Sequence, residues 1–388
     1  MASLIVDTAP LVLEVGIVLL GAATMGFAAR KVGLPAVVGY LIAGLLVSPF
    51  TPGYVASYDQ LSLLADIGVV LLLFEVGIEI DLRRISREQK ALIWGVPAQV
   101  AIGMAIGTPI FLFLDISILG ALLLSLSIAM SSSVVIVNIT RSRRRKTDSA
   151  TEDALLGWAV MQDVTGVTVA AIVLALFGSG DRSLPVALGG IIGFVILAFM
   201  AAKLIPIILR LVRWEKDLFL IFSVAIGLVL AALGTVVFGI PMALAGFVAG
   251  LSINQSRDTD DVRKAILPFR DLFAVLFFVI IGSLIEPAQF PTALPFALLI
   301  IAIVIFAKSL PVVLLAKIGK LNANPFQLGV GVGQVGEFSF VLGSIAYSQG
   351  AIDRGQFVGV LMAVVISIIA SVLLVRIRPR GSELPAGI

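Results

Sequence analysis

Residues 116–139 read ISILGALLLSLSIAMSSSVVIVNI, an apolar stretch long enough to cross a membrane that carries Ser131, Ser132 and Ser133 at its centre. Residues 325–348 read PFQLGVGVGQVGEFSFVLGSIAYS, a second apolar stretch whose centre is rich in glycine. Because serine and glycine are poor helix formers, both stretches are predicted to be helices that unwind within the membrane. The alternative is that these small residues only allow helices to pack closely.

The composition of the whole chain indicates a membrane protein. Hydrophobic residues make up 60% of the 388 residues and charged residues 13%, against about 25% charged residues in soluble domains. The net charge of +3 is too small to suggest a nucleic-acid partner. Cysteine and histidine are both absent, so proton chemistry is left to carboxylates and lysine. We therefore expect neither enzymatic activity nor a bound cofactor.

Thirteen apolar segments are predicted to be transmembrane helices, which gives an all-α membrane protein. They are residues 8–28, 33–49, 61–79, 91–113, 116–139, 152–178, 185–210, 217–237, 239–255, 268–285, 293–317, 325–348 and 357–376. Most of the 27 Lys and Arg residues lie in loops after the odd-numbered segments, whereas the loops after even-numbered segments hold only Arg182 and Arg354. By the positive-inside rule, the N-terminus is outside and the C-terminus is cytoplasmic, with the chain in the inner (plasma) membrane of the cell.

An internal repeat supports this topology. The matched segments lie seven apart, so the two copies cross the membrane in opposite directions, as in the inverted repeats of secondary transporters. We expect residues 1–388 to form a single transporter domain, in which segments 1–6 and 8–13 are the repeats and segment 7 links them. Chance is the alternative, since such short motifs are common in membrane helices. The matched residues, at offsets of 205 or 206, are Gly33-Leu34-Pro35 with Gly239-Ile240-Pro241, Ala43-Gly44-Leu45 with Ala249-Gly250-Leu251, Asp66 with Asp271, and Gly77 with Gly282.

Two opposite charges are predicted at similar depths in the membrane. Asp163 in segment 6 lies about 18 Å, and Lys308 in segment 11 about 13 Å, from the cytoplasmic ends of their helices. A charge at this depth costs roughly 2.5–3.5 kcal/mol, so each needs a partner or a function. We expect the two to serve proton-coupled exchange, with a carboxylate that holds either a proton or a cation. A purely structural ion pair is the alternative.

Other polar residues near the breaks are candidates for the ion site. Gln162 and the three serines offer neutral oxygens, the ligand type that monovalent cations accept. Gln334 and Glu337 are assigned to the crossover of the two breaks. Glu337 either offsets the charge of helix ends that point inward there, which we favour, or lines the ion route.

At these residues the sequence resembles the monovalent cation:proton antiporter-2 family, and within it the Kef-type potassium branch. The resemblance covers about residues 8–376. It rests on Gln162-Asp163, the serine run, Lys308 and Gly333-Gln334-Val335-Gly336-Glu337-Phe338, where Val335 replaces a glycine of the family's motif.

The resemblance implies a homodimer in which a six-helix core domain moves against a dimerisation domain and carries the ion by an elevator-like step. It also implies that Asp163 binds cation and proton in competition. A neutral residue at the position of Gln162 implies electroneutral exchange. Kef-type proteins usually continue into a cytoplasmic nucleotide-binding domain, and no such domain is expected in residues 377–388. Either this regulatory domain was removed or the transporter is one without it, so gating by a ligand is in doubt.

The predicted function is exchange of K⁺, or alternatively Na⁺, for H⁺; the residues do not decide between the two cations. A ligand-gated potassium efflux pathway is one alternative, but a channel needs no obligatory proton site. A sodium-coupled organic-anion symporter of similar fold is another, although the residues near the breaks are mostly small and apolar. Membrane lipids are the expected partners of the basic run 141–146.

Overall fold

The computed structural model describes residues 9–51, 58–79, 90–141, 147–177, 184–240, 242–254, 259–336 and 338–375, and every regular element within these ranges is helical. A 3₁₀ turn covers Pro287–Gln289, and a π-helical segment covers Val304–Ser309. The helices in chain order are α1 (Ala9–Lys31), α2 (Ala36–Leu46), α3 (Tyr58–Glu79), α4 (Lys90–Phe113), α5 (Ile118–Ala129), α6 (Ser133–Arg141), α7 (Ser149–Phe177), α8 (Leu184–Val212), α9 (Lys216–Val236), α10 (Met242–Asn254), α11 (Thr259–Ser283), α12 (Phe290–Ile303), α13 (Leu310–Ile318), α14 (Pro325–Val332), α15 (Phe338–Ser348) and α16 (Arg354–Leu374).

Nine helical spans in the described part of the chain are long and apolar enough to cross a bilayer. Segments 5 and 12 are each divided into two short helices, α5 with α6 and α14 with α15. Helices α2 and α10, in segments 2 and 9, have 11 and 13 residues, which gives lengths of about 16 and 20 Å. The predicted multi-pass all-α fold with two broken helices is confirmed, and the count of thirteen spans stays a prediction.

Several helix starts follow directly from local sequence. Asn324 caps α14, since its Oδ1 accepts a hydrogen bond from the N–H of Gln327 at 3.1 Å, and Pro325 occupies the first helical position. Asp353 and Gln356 form a reciprocal capping box at the start of α16. These polar residues therefore fix where the last helices begin.

The helices group into two compact units. The first comprises Met1–Asp81 and Ala171–Phe290, and the second comprises Leu82–Ala170 and Pro291–Ile388. The first unit contains α1 to α3 and α8 to α11 and is held by a cluster of large apolar side chains on α3 and α8 to α11. The second unit contains both broken helices and every candidate site residue that the structure describes.

The two copies of the repeat motif have matching backbone conformations in the first unit. Gly33 follows α1 with φ +86°, and Gly239 follows α9 with φ +71°. A left-handed residue just beyond a helix end allows the chain to reverse, and glycine adopts it without a steric penalty. Each glycine therefore ends one helix and permits the next one to start, as the sequence repeat implies.

The two copies of the repeat also contact each other through equivalent glycines. A methyl group at Gly44 of α2 would lie 2.9 Å from Cα of Gly282 in α11, and one at Gly250 of α10 would lie 3.0 Å from Cα of Gly77 in α3. Gly44 corresponds to Gly250, and Gly77 to Gly282. The same crossing is thus made twice with the roles of the two copies reversed, which is the geometry of an inverted repeat.

One buried ion cluster in the first unit breaks this symmetry. Glu75 on α3 is 2% exposed, and its carboxylate accepts hydrogen bonds from Arg263 Nε at 2.8 Å and Arg270 Nη1 at 2.7 Å. The position 205 residues after Glu75 is Ile280, so the pairing exists in one copy only. The sequence indicated no special role for Glu75, and the structure assigns it to the junction of α3 with α11.

Candidate functional site

The first break separates α5 from α6 inside the second unit. α5 ends at Ala129, and Met130 is extended, with φ −95° and ψ 144°. Ser132 caps α6, because its Oγ accepts a hydrogen bond from the N–H of Val135 at 3.2 Å. Ser131 and Ser132 are buried, whereas Ser133 is half-buried. The serine run thus ends one helix and starts the next.

The second break separates α14 from α15. α14 ends at Val332, and Gly333 to Gly336 have no regular helical structure. A methyl group at Gly336 would lie 2.5 Å from the carbonyl carbon of Ser131, so only glycine permits this approach of the two breaks. Glu337 lies outside the described residues, and its predicted role in charge balance stays a prediction.

The two breaks are joined directly by hydrogen bonds. The N–H of Gly336 donates to the carbonyl of Met130 at 3.0 Å. Gln334, which is fully buried, accepts from the N–H of Ser132 at 3.1 Å and donates to the carbonyl of the same residue at 3.2 Å. The side-chain amide of Gln334 therefore supplies hydrogen bonds to backbone groups of the unwound first break. Ser131 Oγ also donates to the carbonyl of Val332 at 2.6 Å.

Lys308 lies on the π-helical segment and is fully buried. Its ammonium group donates to the carbonyl of Met130 and to the carbonyl of Gln334, each at 2.6 Å. These two carbonyls follow the C-terminal ends of α5 and α14, which carry partial negative charge. The structure thus places the predicted buried base where it stabilises both breaks. Its predicted part in proton coupling with Asp163 is a separate matter and stays a prediction.

Gln162 on α7 holds the end of α5. Its Oε1 accepts from the N–H of Ser131 at 3.1 Å, and its Nε2 donates to the carbonyl of Ala129 at 3.0 Å. The next residue, Asp163, is 4% exposed. The carboxylate predicted to bind the ion therefore follows directly after a residue that is bonded to the first break.

Two residues of this arrangement were missed in the sequence. Gln99 on α4 is fully buried and accepts a hydrogen bond from Gln162 Nε2. Ser367 on α16 accepts a hydrogen bond from the N–H of Val335 at 3.0 Å. Both are neutral, so neither stands out as a charge in an apolar segment does. The available signal for Gln99 was an amide in an otherwise apolar stretch, two residues after Pro97.

Residues 16–377 of the chain match the transmembrane domain of the sodium/hydrogen exchangers. The match includes both breaks, Asp163 and Lys308. The chain belongs to the sodium/hydrogen exchanger family. This agrees with the resemblance to cation:proton antiporters that the motifs indicated.

The chain has a relative that is named as an antiporter. It is 31% identical over 369 residues to the putative cation/proton antiporter YbaL of Escherichia coli (strain K12), a match that covers 90% of this chain and 65% of the relative. The chain thus spans about two thirds of the length of that protein. The name of that relative is consistent with the expectation that the chain is not an enzyme.

The fold of this exchanger is similar to that of the sodium proton antiporter MjNhaP1 from Methanocaldococcus jannaschii. The structure of MjNhaP1 at pH 8 matches with a TM-score of 0.71 and 18% identity, over 92% of this chain and 95% of that chain. An electron-microscopy structure of the same protein matches with a TM-score of 0.66 and 16% identity, over 96% and 98% of the two chains. The predicted antiporter-like fold is therefore confirmed.

Proposed function

We propose that this exchanger moves a monovalent cation in one direction and a proton in the other, with Asp163 as the site that both ions share. The observation that carries the proposal is the burial of Asp163, at 4% exposed, directly after the residue that is bonded to the first break. A buried carboxylate is stable when it holds either a proton or a cation, and exchanging one for the other is the chemistry of antiport.

We also propose which monovalent cation is exchanged. K⁺ is favoured because the motifs resemble the Kef-type branch, and Na⁺ is the second candidate. Gln162 and the serines 131–133 are proposed to supply neutral oxygens near Asp163. The carbonyl of Ser132 already accepts hydrogen bonds from Gln334 Nε2 and from the N–H of Ile136, which uses both of its lone pairs, so it is not proposed as one of these oxygens.

Reconstitution of the full chain into liposomes that contain a pH-sensitive dye tests the proposal. Pulses of K⁺, Na⁺ or Li⁺ are expected to change the internal pH, with the largest response to K⁺. A cation flux without any proton movement would instead support the alternative of a channel. A proton response only in the presence of an organic anion would support the symporter alternative.

We also propose electroneutral exchange, because Asp163 is followed and preceded by neutral residues. Clamping the membrane potential with an ionophore is expected to leave the initial exchange rate unchanged. A rate that follows the imposed potential would mean that net charge moves in the cycle.

Lys308 is proposed to take part in proton coupling in addition to stabilising the breaks. If its ammonium group interacts with the Asp163 carboxylate when the site is empty, Lys308→Gln changes how the apparent cation affinity depends on pH. The measurement is that pH dependence in proteoliposomes for wild type and Lys308→Gln. Superimposable curves would exclude Lys308 from the exchange cycle and leave it a structural role.

Alternating access is proposed to be elevator-like, with the second unit carrying the ion in a homodimer in the inner membrane. The proposal is supported by the location of all described site residues in that unit. Because the chain has no cysteine, pairs of introduced cysteines report distances without background. Crosslinks that lock the two units together are expected to stop exchange. Full activity after complete crosslinking would contradict the elevator step.

A further inference from the structure

Gln99 is the centre of a buried network of polar side chains that lies beside the first break. Its Oε1 accepts hydrogen bonds from Gln162 Nε2 and from Trp158 Nε1, the latter at 3.4 Å. Its Nε2 donates to the carbonyl of Ala129 at 3.3 Å. Gln99, Trp158 and Gln162 are all fully buried. Each of these three side chains therefore finds hydrogen-bond partners within the protein.

The orientation of each amide in this network is determined by groups that have only one hydrogen-bonding role. The N–H of Ser131 can only donate, so it must face Gln162 Oε1, and the carbonyl of Ala129 can only accept, so it must face Gln162 Nε2. The second hydrogen of Gln162 Nε2 then requires an acceptor, which is Gln99 Oε1. The indole N–H of Trp158, also only a donor, faces the same oxygen, so the orientation of Gln99 is determined as well.

We propose that Gln99 is a positioning residue for cation exchange, which orients Gln162 and through it the end of α5 beside Asp163. This inference rests on the proposed function. The role proposed for Gln99 is indirect, because it is bonded to the amide of Gln162 that holds Ala129 and Ser131. Because ion affinity depends on ligands that are already in place, loosening Gln162 weakens cation binding more than it weakens folding.

The same network determines which side chain position 162 accepts. That position must accept one hydrogen bond, from Ser131, and donate two, to Ala129 and Gln99. An amide meets all three requirements, whereas an ionised carboxylate donates none and would face two acceptor oxygens. Gln99 therefore specifies a neutral residue beside Asp163, which makes it a determinant of how many charges move with each ion.

The test uses the full chain in proteoliposomes, with K⁺ and Na⁺ as the probes and the apparent KM and maximal rate as the readouts. Gln99→Leu removes the acceptor for Gln162 and Trp158 at similar size. We expect the apparent KM for the cation to rise about tenfold, the factor that corresponds to one lost buried hydrogen bond, with a smaller change in maximal rate. Thr108→Val is the matched control, because it removes another α4–α5 hydrogen bond, from Thr108 Oγ1 to Ser125 Oγ, and should leave the KM at its wild-type value.

A second variant gives a readout that would not change if Gln99 had only a structural role. In Gln99→Glu, a protonated carboxyl donates to Ala129 and accepts from Gln162 and Trp158, which reproduces the whole network. An ionised carboxyl loses the donor. The ratio of the variant's apparent KM to that of wild type is therefore expected to be near one at acidic pH and to increase as the pH rises.

Each result decides the matter. A wild-type KM in Gln99→Leu, or a Gln99→Glu ratio that is raised equally at every pH, overturns the role of Gln99. If Gln99→Leu does not fold, Trp158→Phe removes only the indole donor, and a KM raised about threefold supports the proposal while an unchanged KM overturns it. Absence of exchange in the wild type would instead refute the proposed function, which is a separate outcome from a wild type that exchanges and a Gln99 variant that matches it.

Discussion

The two breaks of the second unit are alike in their backbone and different in their side chains. In the first, the N–H of Ser131 donates to Gln162, and in the second, the N–H of Val335 donates to Ser367. The two pairs are separated by 31 and 32 residues along the chain. Each break is therefore supported by the second helix after it, as two copies of one repeat would be.

The difference begins with the residue that follows each supporting side chain. Asp163 follows Gln162, whereas Ile368 follows Ser367. The buried base is also present once: Lys308 stands in the second copy, and the position 205 residues earlier is Gly103. The repeat thus has the same backbone arrangement twice, whereas each of the two ionisable groups proposed to take part in exchange is present in one copy. Substitutions at equivalent positions of the two copies test whether the shared backbone contacts and the ionisable groups have separate roles.

The largest effect is expected for Asp163→Asn, which removes the ionisable group from the first copy. The variant should insert and fold, because asparagine has the same size, and exchange of every cation should be abolished. The measurement is the dye response in proteoliposomes. Asp153→Asn, on an exposed position of the same helix, is the control and should behave as wild type. Half of the wild-type activity remaining in Asp163→Asn would contradict its role as the shared site.

A large loss of stability is expected for Lys308→Met, which removes the donor to both breaks. Hydrogen bonds to a charged group contribute about 1.5–3 kcal/mol each, and two are lost. Thermal unfolding in detergent should shift to lower temperature by several degrees. Lys317→Met, at an exposed position in the last turn of α13, should leave the unfolding temperature unchanged. Equal unfolding temperatures for wild type and Lys308→Met would show that the two breaks do not depend on this residue.

An intermediate effect is expected for Ser367→Ala, which removes the acceptor for Val335 in the second break. A buried N–H without a partner costs about 1–3 kcal/mol, so stability should fall while the apparent KM for the cation stays at its wild-type value. Gln162→Leu, the equivalent change in the first break, should lower stability and raise the KM as well. If both variants change the KM to the same extent, the two copies share the ion chemistry and the comparison above is wrong.

The smallest effect is expected for Gln162→Glu in its response to membrane potential. Position 162 faces the carbonyl of Ala129 and Gln99 Oε1, so the new carboxyl should keep its proton in order to donate. Exchange should then remain independent of a clamped potential, although its rate falls. A rate that becomes dependent on potential would mean that the introduced carboxyl ionises in spite of these acceptors.

The sequence predicts the helices and the two breaks of this molecule better than the hydrogen bonds between the breaks. The breaks follow from serine and glycine within apolar stretches, the repeat from spaced glycines, and Asp163 and Lys308 from charge in segments that otherwise exclude it. The bonds from Lys308 to two carbonyls depend on helix register at the π-helical segment, which hydropathy does not report. Gln99 was missed because an amide adds little polarity to a long apolar helix.

The role of Glu75 was also not predictable from the sequence. Acids near a helix end usually face water or lipid headgroups, and its burial depends on which helix lies beside α3. Helix pairing in membranes is set by shape and by small residues as much as by hydrophobicity. Only the structure shows that Arg263 and Arg270 of α11 reach the same carboxylate.

The π-helical segment Val304–Ser309 has a consequence for how this transporter tolerates length changes. A π turn holds one residue more than the α-helical turn it replaces, and each residue advances a helix by about 100°. Because the π turn absorbs the extra residue, deleting one residue from the segment would give an ordinary α-helical turn and keep α12 and α13 in register. Deleting a residue from α12 would instead turn Lys308 by about 100° relative to the start of that helix, away from Met130 and Gln334. The length of the chain is therefore constrained more strongly in α12 than in the π-helical segment that follows it.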